Sequence, residues 1–183
     1  MTKFLSYVLI AIAFVPSLAF AQKTPEQVAV TYFDTLKSDG LETAPSFIHP
    51  KELERFKSML LPLFTMNDSD ENLSILFFGE KKSPSEISAM KPADFMAGFL
   101  SVLGTQMKSS KINLGETNVI GSVKEGETVH VLARNSAGNQ DFKMTKVEVI
   151  SMIPDGDTWK LLLSGEMEGM AQALKSQLEK NGE

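Results

Sequence analysis

The stretch that decides the fold covers residues 111–166 and reads KINLGETNVIGSVKEGETVHVLARNSAGNQDFKMTKVEVISMIPDGDTWKLLLSGE. Apolar and polar residues alternate through much of it, and β-branched residues are frequent, which is typical of half-buried strands. Three short polar links, KEGE, AGNQ and PDGD, divide it into four segments. Because links of this length join neighbouring antiparallel strands, the stretch predicts a four-stranded antiparallel sheet in sequence order.

Helical periodicity precedes the predicted sheet. Thr24, Pro25 and Gln27 form the signature of a capped helix start. The apolar residues that follow fall on one face of that helix: Val28, Ala29, Tyr32, Phe33 and Leu36. This segment predicts an amphipathic first helix that ends at the Ser-Asp-Gly sequence of residues 38–40.

Further helices are predicted on both sides of the sheet. One begins after His49, and Pro62 is expected to kink or stop it. Residues 73–78 are too few for the period to separate helix from strand, although helix is favoured. A longer apolar stripe predicts a helix over about 92–108, and helical period returns after residue 166. Helices, then a meander, then one helix predict an α+β domain, with N-terminal helices on a curved four-stranded antiparallel sheet and a C-terminal helix.

The first residues have the pattern of a secretory signal. Lys3 precedes an apolar run over 4–15, Pro16 interrupts it, and small residues lead to an expected cleavage between Ala21 and Gln22. The run is shorter than the ~18 residues of a membrane span, and no cysteine follows the cleavage point to carry a lipid. We expect residues 1–21 to be a Sec-type signal peptide and 22–183 to be a single periplasmic or secreted domain without a membrane span.

Composition excludes several classes of function. The 183 residues include no cysteine, which removes disulfides, thiol nucleophiles and cysteine-ligated zinc. The formal net charge is −5 and no cluster of Lys and Arg is present, so nucleic-acid binding is not expected. Histidines at metal-ligand spacing are absent too, and neither a metal nor another cofactor is expected.

The layout resembles the NTF2-like (cystatin-like, SnoaL-like) superfamily of conical α+β barrels. The likeness rests on TPEQVAVTYFDTLKSDGLETAPSFIHP at residues 24–50, NVIGSVKEGETVHVLAR at 118–134 and GDTWKLLLSGE at 156–166. These stretches are similar to the opening helix, the paired long strands and the last strand of small exported bacterial members without an assigned activity. One departure is that family members often place a strand or two between the second and third helices, and none is found here.

Trp159, the only tryptophan, has two possible roles. Alternation puts it on one face of the last strand with Leu161 and Leu163. It could anchor the sheet to the first helix, which is favoured because large aromatic side chains dominate cores, or it could lie at the mouth of the cone. An apolar pocket in such a cone would be lined by Phe33, Phe56, Phe95, Phe99 and Trp159.

Catalysis has weaker candidates. His130 could act as a general base on a sheet face that it shares with Arg134, which could orient an anion. A position on the solvated face is the favoured alternative, since no partner is spaced to reach His130. Asp94 could supply a carboxylate, but in the first turn of a helix it would simply complement the helix dipole.

The function that the sequence favours is non-enzymatic binding of a small apolar ligand, a peptide or an envelope protein. Both faces of ETVHVLA, residues 127–133, are apolar, so a homodimer through the sheet is expected. Two alternatives stay open. One is a cone-pocket isomerase, dehydratase or hydrolase that uses His130, and the other is a structural or assembly factor of the cell envelope.

Overall fold

The structure, a computed structural model, describes residues 23–65 and 71–181. The expected cleavage between Ala21 and Gln22 lies outside these residues, as does the rest of the signal peptide. The helices are α1 Pro25–Asp39, α2 Pro50–Leu60, α3 Pro62–Thr65, α4 Glu71–Phe78, α5 Pro84–Ala89, α6 Pro92–Ser109 and α7 Gly165–Asn181, with a short 3-10 helix at Leu41–Ser46. The strands are β1 Asn113–Glu125, β2 Thr128–Gly138, β3 Lys143–Asp155 and β4 Thr158–Leu161.

Local capping chemistry sets where the helices begin. At α1 the Gln27 backbone N–H donates to the Thr24 hydroxyl over 3.3 Å, and the Gln27 side chain accepts from the Thr24 N–H over 3.0 Å. At α2 the His49 ring accepts from the Lys51 N–H over 3.3 Å. Pro62 separates α2 from α3, and residues 73–78 are helical. These predictions are confirmed because each depends on a few neighbouring residues.

The four strands form one antiparallel sheet in the order β1-β2-β3-β4. Register shifts interrupt β1 between Leu114 and Thr117 and again near Val119, and such irregularities bend a strand. The last strand is shorter than the sequence predicts, and pairs with β3 only from Met152 to Asp155. Its end is explained by Ser164, whose hydroxyl accepts from the Met167 N–H over 3.2 Å and caps α7.

The two faces of the sheet differ in burial. One face, here called the concave face, packs against the helices through Val129, Val131, Ala133, Ile150 and Met152, all buried. The opposite, convex face includes His130, Leu132, Val147 and Val149, and both valines are exposed. The fold is therefore an α+β domain with helices on one side of a curved antiparallel sheet, as predicted. No described helix is long and apolar enough to cross a bilayer.

Phenylalanine rings form the centre of the helical layer. Neighbouring rings lie 5.0–6.2 Å apart between centroids, mostly tilted or edge to face, and the cluster contains Phe56, Phe64, Phe77, Phe78, Phe95 and Phe99. Such pairs contribute about 0.5–1.5 kcal/mol each beyond the burial of their area. The rings thereby pack α2, α3, α4 and α6 into one layer.

Candidate functional site

A cleft opens where α1, β3 and the start of α7 meet. Its volume is about 350 Å³, and we call it the α7 cleft. The apolar side chains that line it are Tyr32, Phe33, Ile48, Val149, Ile150, Leu161, Leu162, Leu163 and Met167. Glu148 brings a carboxylate to this otherwise largely apolar wall.

A second, smaller cleft lies on the other side of Phe33. It has a volume of about 170 Å³, and we call it the β1 cleft because Leu114 and Thr117 of β1 contribute to its wall. Other lining residues come from the 3-10 helix, β2 and β3, among them Leu41, Asn135, Ala137, Met144 and Lys146. Phe33 and Glu148 line both clefts, so the two form neighbouring parts of one apolar groove along the sheet.

A polar cluster lies at the junction of the clefts. The Asn135 side-chain amide nitrogen donates a hydrogen bond to Glu148. The side-chain oxygen of Asn135, Oδ1, is buried without a hydrogen-bond partner. A flipped amide would place that oxygen against the carboxylate, so the donating orientation is electrostatically favoured. The Lys146 ammonium lies 3.9 Å from Glu148 and 2.5 Å from Glu166, the latter in the first turn of α7. The hydrogen bond from Lys146 to Glu166 raises the pKa of Lys146, which keeps that ammonium charged.

Tyr32 adds a phenol to the same region. Its ring packs 5.0 Å from Phe33 and 5.5 Å from Phe47 between centroids. Burial raises the pKa of Tyr32 to about 12, and the negative charge of Glu148 adds to the shift. The phenol is therefore neutral at physiological pH and can donate a hydrogen bond.

The residues predicted to bind a ligand separate into two groups. Phe33 lies between the two clefts. Phe56, Phe95 and Phe99 are buried in the ring cluster and line neither cleft. Trp159 is half-buried, packs against the core opposite Pro154 and lines neither cleft.

His130 lies on the convex face, in contact with two polar side chains. Its Nδ1 is 2.9 Å from the Ser151 hydroxyl, and its Nε2 is 3.2 Å from the Glu125 carboxylate. Sequence spacing indicates no partner for His130, because Ser151 comes opposite it only through the β2–β3 register. A serine, an imidazole and a carboxylate in contact are the groups of a nucleophilic relay. The Glu125 side chain is 83% exposed, and His130 lines neither cleft, so the carboxylate end of this relay is open to solvent.

The other catalytic candidates are not brought to His130. Arg134 is exposed on the convex face, four residues further along β2, and Asp94 is exposed in the first turn of α6. Among the described residues, neither makes a hydrogen bond or ion pair with His130. Residues 23–65 and 71–181 also contain no group of three His, Asp or Glu side chains placed to hold a metal ion.

The sequence did not predict that three polar side chains, those of Tyr32, Asn135 and Glu148, come together at the clefts. Glu148 carried a usable signal: it has the same strand parity as Ile150 and Met152, both of which are buried. A carboxylate on the apolar face of a strand is unusual enough to mark a candidate site. Asn135 and Tyr32 come close to it only through tertiary structure.

No family model matches this chain, and no curated protein or solved structure gives a significant match to it. A function must therefore be inferred from the geometry of the clefts.

Proposed function

We propose that this chain is an exported NTF2-like domain that binds a small, mainly apolar ligand in the groove formed by the α7 and β1 clefts. The observation that carries the proposal is that both clefts share Phe33 and Glu148, so apolar walls surround one small polar group. Ligand sites commonly combine hydrophobic walls with a few placed polar atoms, in volumes of roughly 300–1,000 Å³. The order of helices and strands, and the leader-like residues 1–21, support the family and the export.

The polar cluster defines how a ligand would be oriented. Glu148 accepts hydrogen bonds and Tyr32 remains a neutral donor, while Phe33 offers an aromatic surface between the clefts. An apolar body would fill the clefts, and one polar group would meet Glu148. No step of bond chemistry is needed for this role.

Titration with the neutral apolar dye Nile red tests the site. We expect saturable binding with a rise in dye fluorescence for the protein that lacks residues 1–21. Thr117→Phe fills the β1 cleft, whose wall Thr117 forms, and should weaken binding by at least about tenfold, or ~1.4 kcal/mol. Thr105→Phe is the matched control, because Thr105 is exposed on α6, outside both clefts.

A second control separates the groove from the convex face. Val123→Asp adds a charge to an exposed position of β1 and should leave dye affinity unchanged. Equal binding by wild type and Thr117→Phe would contradict the proposal, as would a loss of binding in Val123→Asp alone.

We also propose that the chain forms a homodimer through its sheet. Several large apolar side chains on the sheet are exposed to solvent, among them Ile120, Val123, Val147 and Val149. Exposed apolar area of this kind is a common mark of an interaction surface. Analytical ultracentrifugation over a concentration series tests it, and a monomer throughout would contradict it.

A further inference from the structure

The outer edge of β3 is open over much of its length. β4 pairs only with residues 152–155, and beyond them Leu162 makes a single further bond, its N–H donating to the Ser151 carbonyl over 2.8 Å. In the part of the chain that the structure describes, no strand pairs with residues 143–150 on that side. Val147 and Val149 are 50% and 54% exposed on this edge. Unpaired edges of this kind are templates for pairing with another strand.

Backbone geometry fixes which residues offer hydrogen bonds to a new strand. The bond from Leu162 shows that the Ser151 backbone points toward the outer edge. Backbone direction alternates along a strand, and the pairing of β3 with β2 is continuous over these residues. Thr145, Val147 and Val149 therefore direct their N–H and C=O groups outward.

We propose that two copies of this chain join through antiparallel pairing of their β3 edges, centred on Val147, so that the two sheets continue into one. Val147 would then face Val147 of the second copy, and Thr145 would face its Val149. All of these residues have the outward backbone direction that pairing needs. The inference rests on the proposed homodimer and specifies where that contact lies.

The charges on β3 favour this register. Pairing about Val147 brings Lys146 opposite Glu148 of the second copy, twice by symmetry. Both side chains lie on the concave face, and they fall on non-hydrogen-bonded pairs, where side chains come closest. A register centred on Thr145 would instead place Lys146 opposite Met144 and leave its charge unmatched. Opposite charges facing across strands stabilise pairing, whereas like charges facing one another destabilise it.

The paired strand would run along the open side of the α7 cleft, where Glu148 and Ile150 line the wall. The second copy would thus close a side of the cleft that the single chain leaves open. Five paired residues form a small contact, so a dimer that dissociates at low concentration is expected.

Complementary charge variants test the register. Lys146→Glu alone brings two carboxylates face to face across the contact, and Glu148→Lys alone brings two ammonium groups face to face, so each should weaken self-association by at least about tenfold. In an equimolar mixture, one variant carries a carboxylate at both positions and the other an ammonium at both, so pairing of one variant with the other places opposite charges at both facing pairs. The mixture should therefore associate although neither variant does so alone. The double variant Lys146→Glu/Glu148→Lys restores opposite charges at both facing pairs within a single protein. We expect the double variant to recover self-association, and sedimentation of each protein measures it.

A backbone variant provides an independent test. Val147→Pro removes an N–H that points to the open edge and therefore breaks no bond to β2. It should abolish the dimer, while Thr105→Phe, at an exposed position of α6 away from the sheet, should preserve it. A dimer that survives Val147→Pro, with no recovery in the double charge variant, would overturn edge pairing but keep a homodimer through the face. A wild-type monomer would overturn both, and saturable Nile red binding by that monomer would still support the ligand site.

Discussion

At the scale of single residues, Tyr32 gives the sharpest test of the polar cluster. Its pKa is raised from 10.0 to about 12, so folding favours the neutral phenol. This stabilisation is fully present below pH 10 and is lost as the pH rises through about 12. The chain has two tyrosines, and the other is Tyr7, within residues 1–21. Phenolate absorbance of the protein without residues 1–21 therefore reports Tyr32 alone.

Glu148→Gln should lower the midpoint of that titration, because the charge of Glu148 is the second cause of the shift. The fall should be partial, since burial is the larger cause. Glu127→Gln, in the exposed β1–β2 turn, is the control and should change nothing. If Tyr32 of the folded wild type titrates with a midpoint near 10.0, this account of the cluster is contradicted.

Single residues also show what the sequence could predict. The cap at Thr24 and the helix start at His49 depend on partners two or three residues away, so both could be predicted. The contact between His130 and Ser151 spans 21 residues and depends on strand register. Alternation alone left the two faces of β2 equivalent, because both are apolar.

At the scale of elements, the contact of α4 with α6 depends on Gly98. A Cβ at this position would lie 2.8 Å from the Phe78 ring, which is held between Phe64 and Phe95 at centroid distances of 5.4 and 5.3 Å. Gly98→Ala gains about 1 kcal/mol of helix propensity, but crowding in a packed core costs about 1–3 kcal/mol. We expect a net loss of up to about 2 kcal/mol in the free energy of unfolding by urea.

Gly169→Ala is the matched control. Gly169 lies in α7 with no atom within 4 Å of a Cβ, so the same substitution should be neutral or stabilising by up to about 1 kcal/mol. If Gly98→Ala proves more stable than wild type, the α4–α6 contact is looser than these distances imply.

Element lengths were harder to predict than element types. The strands and helices follow the sequence periods, yet β4 ends at Leu161, five residues before the predicted strand does. The leucine run at 161–163 suits either continuation of the strand or departure from it. Because Ser164 caps α7, the chain leaves the sheet after Leu161. The short β4 leaves part of the β3 edge unpaired, and the α7 cleft lies beside it.

At the scale of the whole molecule, the clefts were beyond prediction from the sequence. Phe33 was expected at a ligand site, and it lies between the two clefts and lines both. Phe56, Phe95 and Phe99 were assigned to the same site because their helical stripes looked alike, although they fill the core. Periodicity identifies an apolar face, but whether that face closes on another layer or leaves a gap depends on how helices and sheet pack together.

The attachment of α7 to both layers leads to the last prediction. Glu168 pairs with Arg55 of α2 at 2.7 Å, Glu166 pairs with Lys146 of β3, and Ala171 is only 2% exposed. Partly exposed ion pairs contribute about 0–1 kcal/mol each, whereas an unpaired buried charge costs several kcal/mol. Apolar packing at Ala171 should therefore hold α7 more firmly than either ion pair does.

Hydrogen exchange read by mass spectrometry distinguishes these contributions. Ala171→Asp should raise exchange throughout α7 while β2 stays protected, because the helix detaches without loss of the sheet. Glu168→Gln should raise α7 exchange only slightly, by less than about tenfold, since it removes one exposed ion pair. If Ala171→Asp instead exposes β2 to the same extent as α7, the C-terminal helix is an integral part of the cooperative core, and the α7 cleft cannot open by its release.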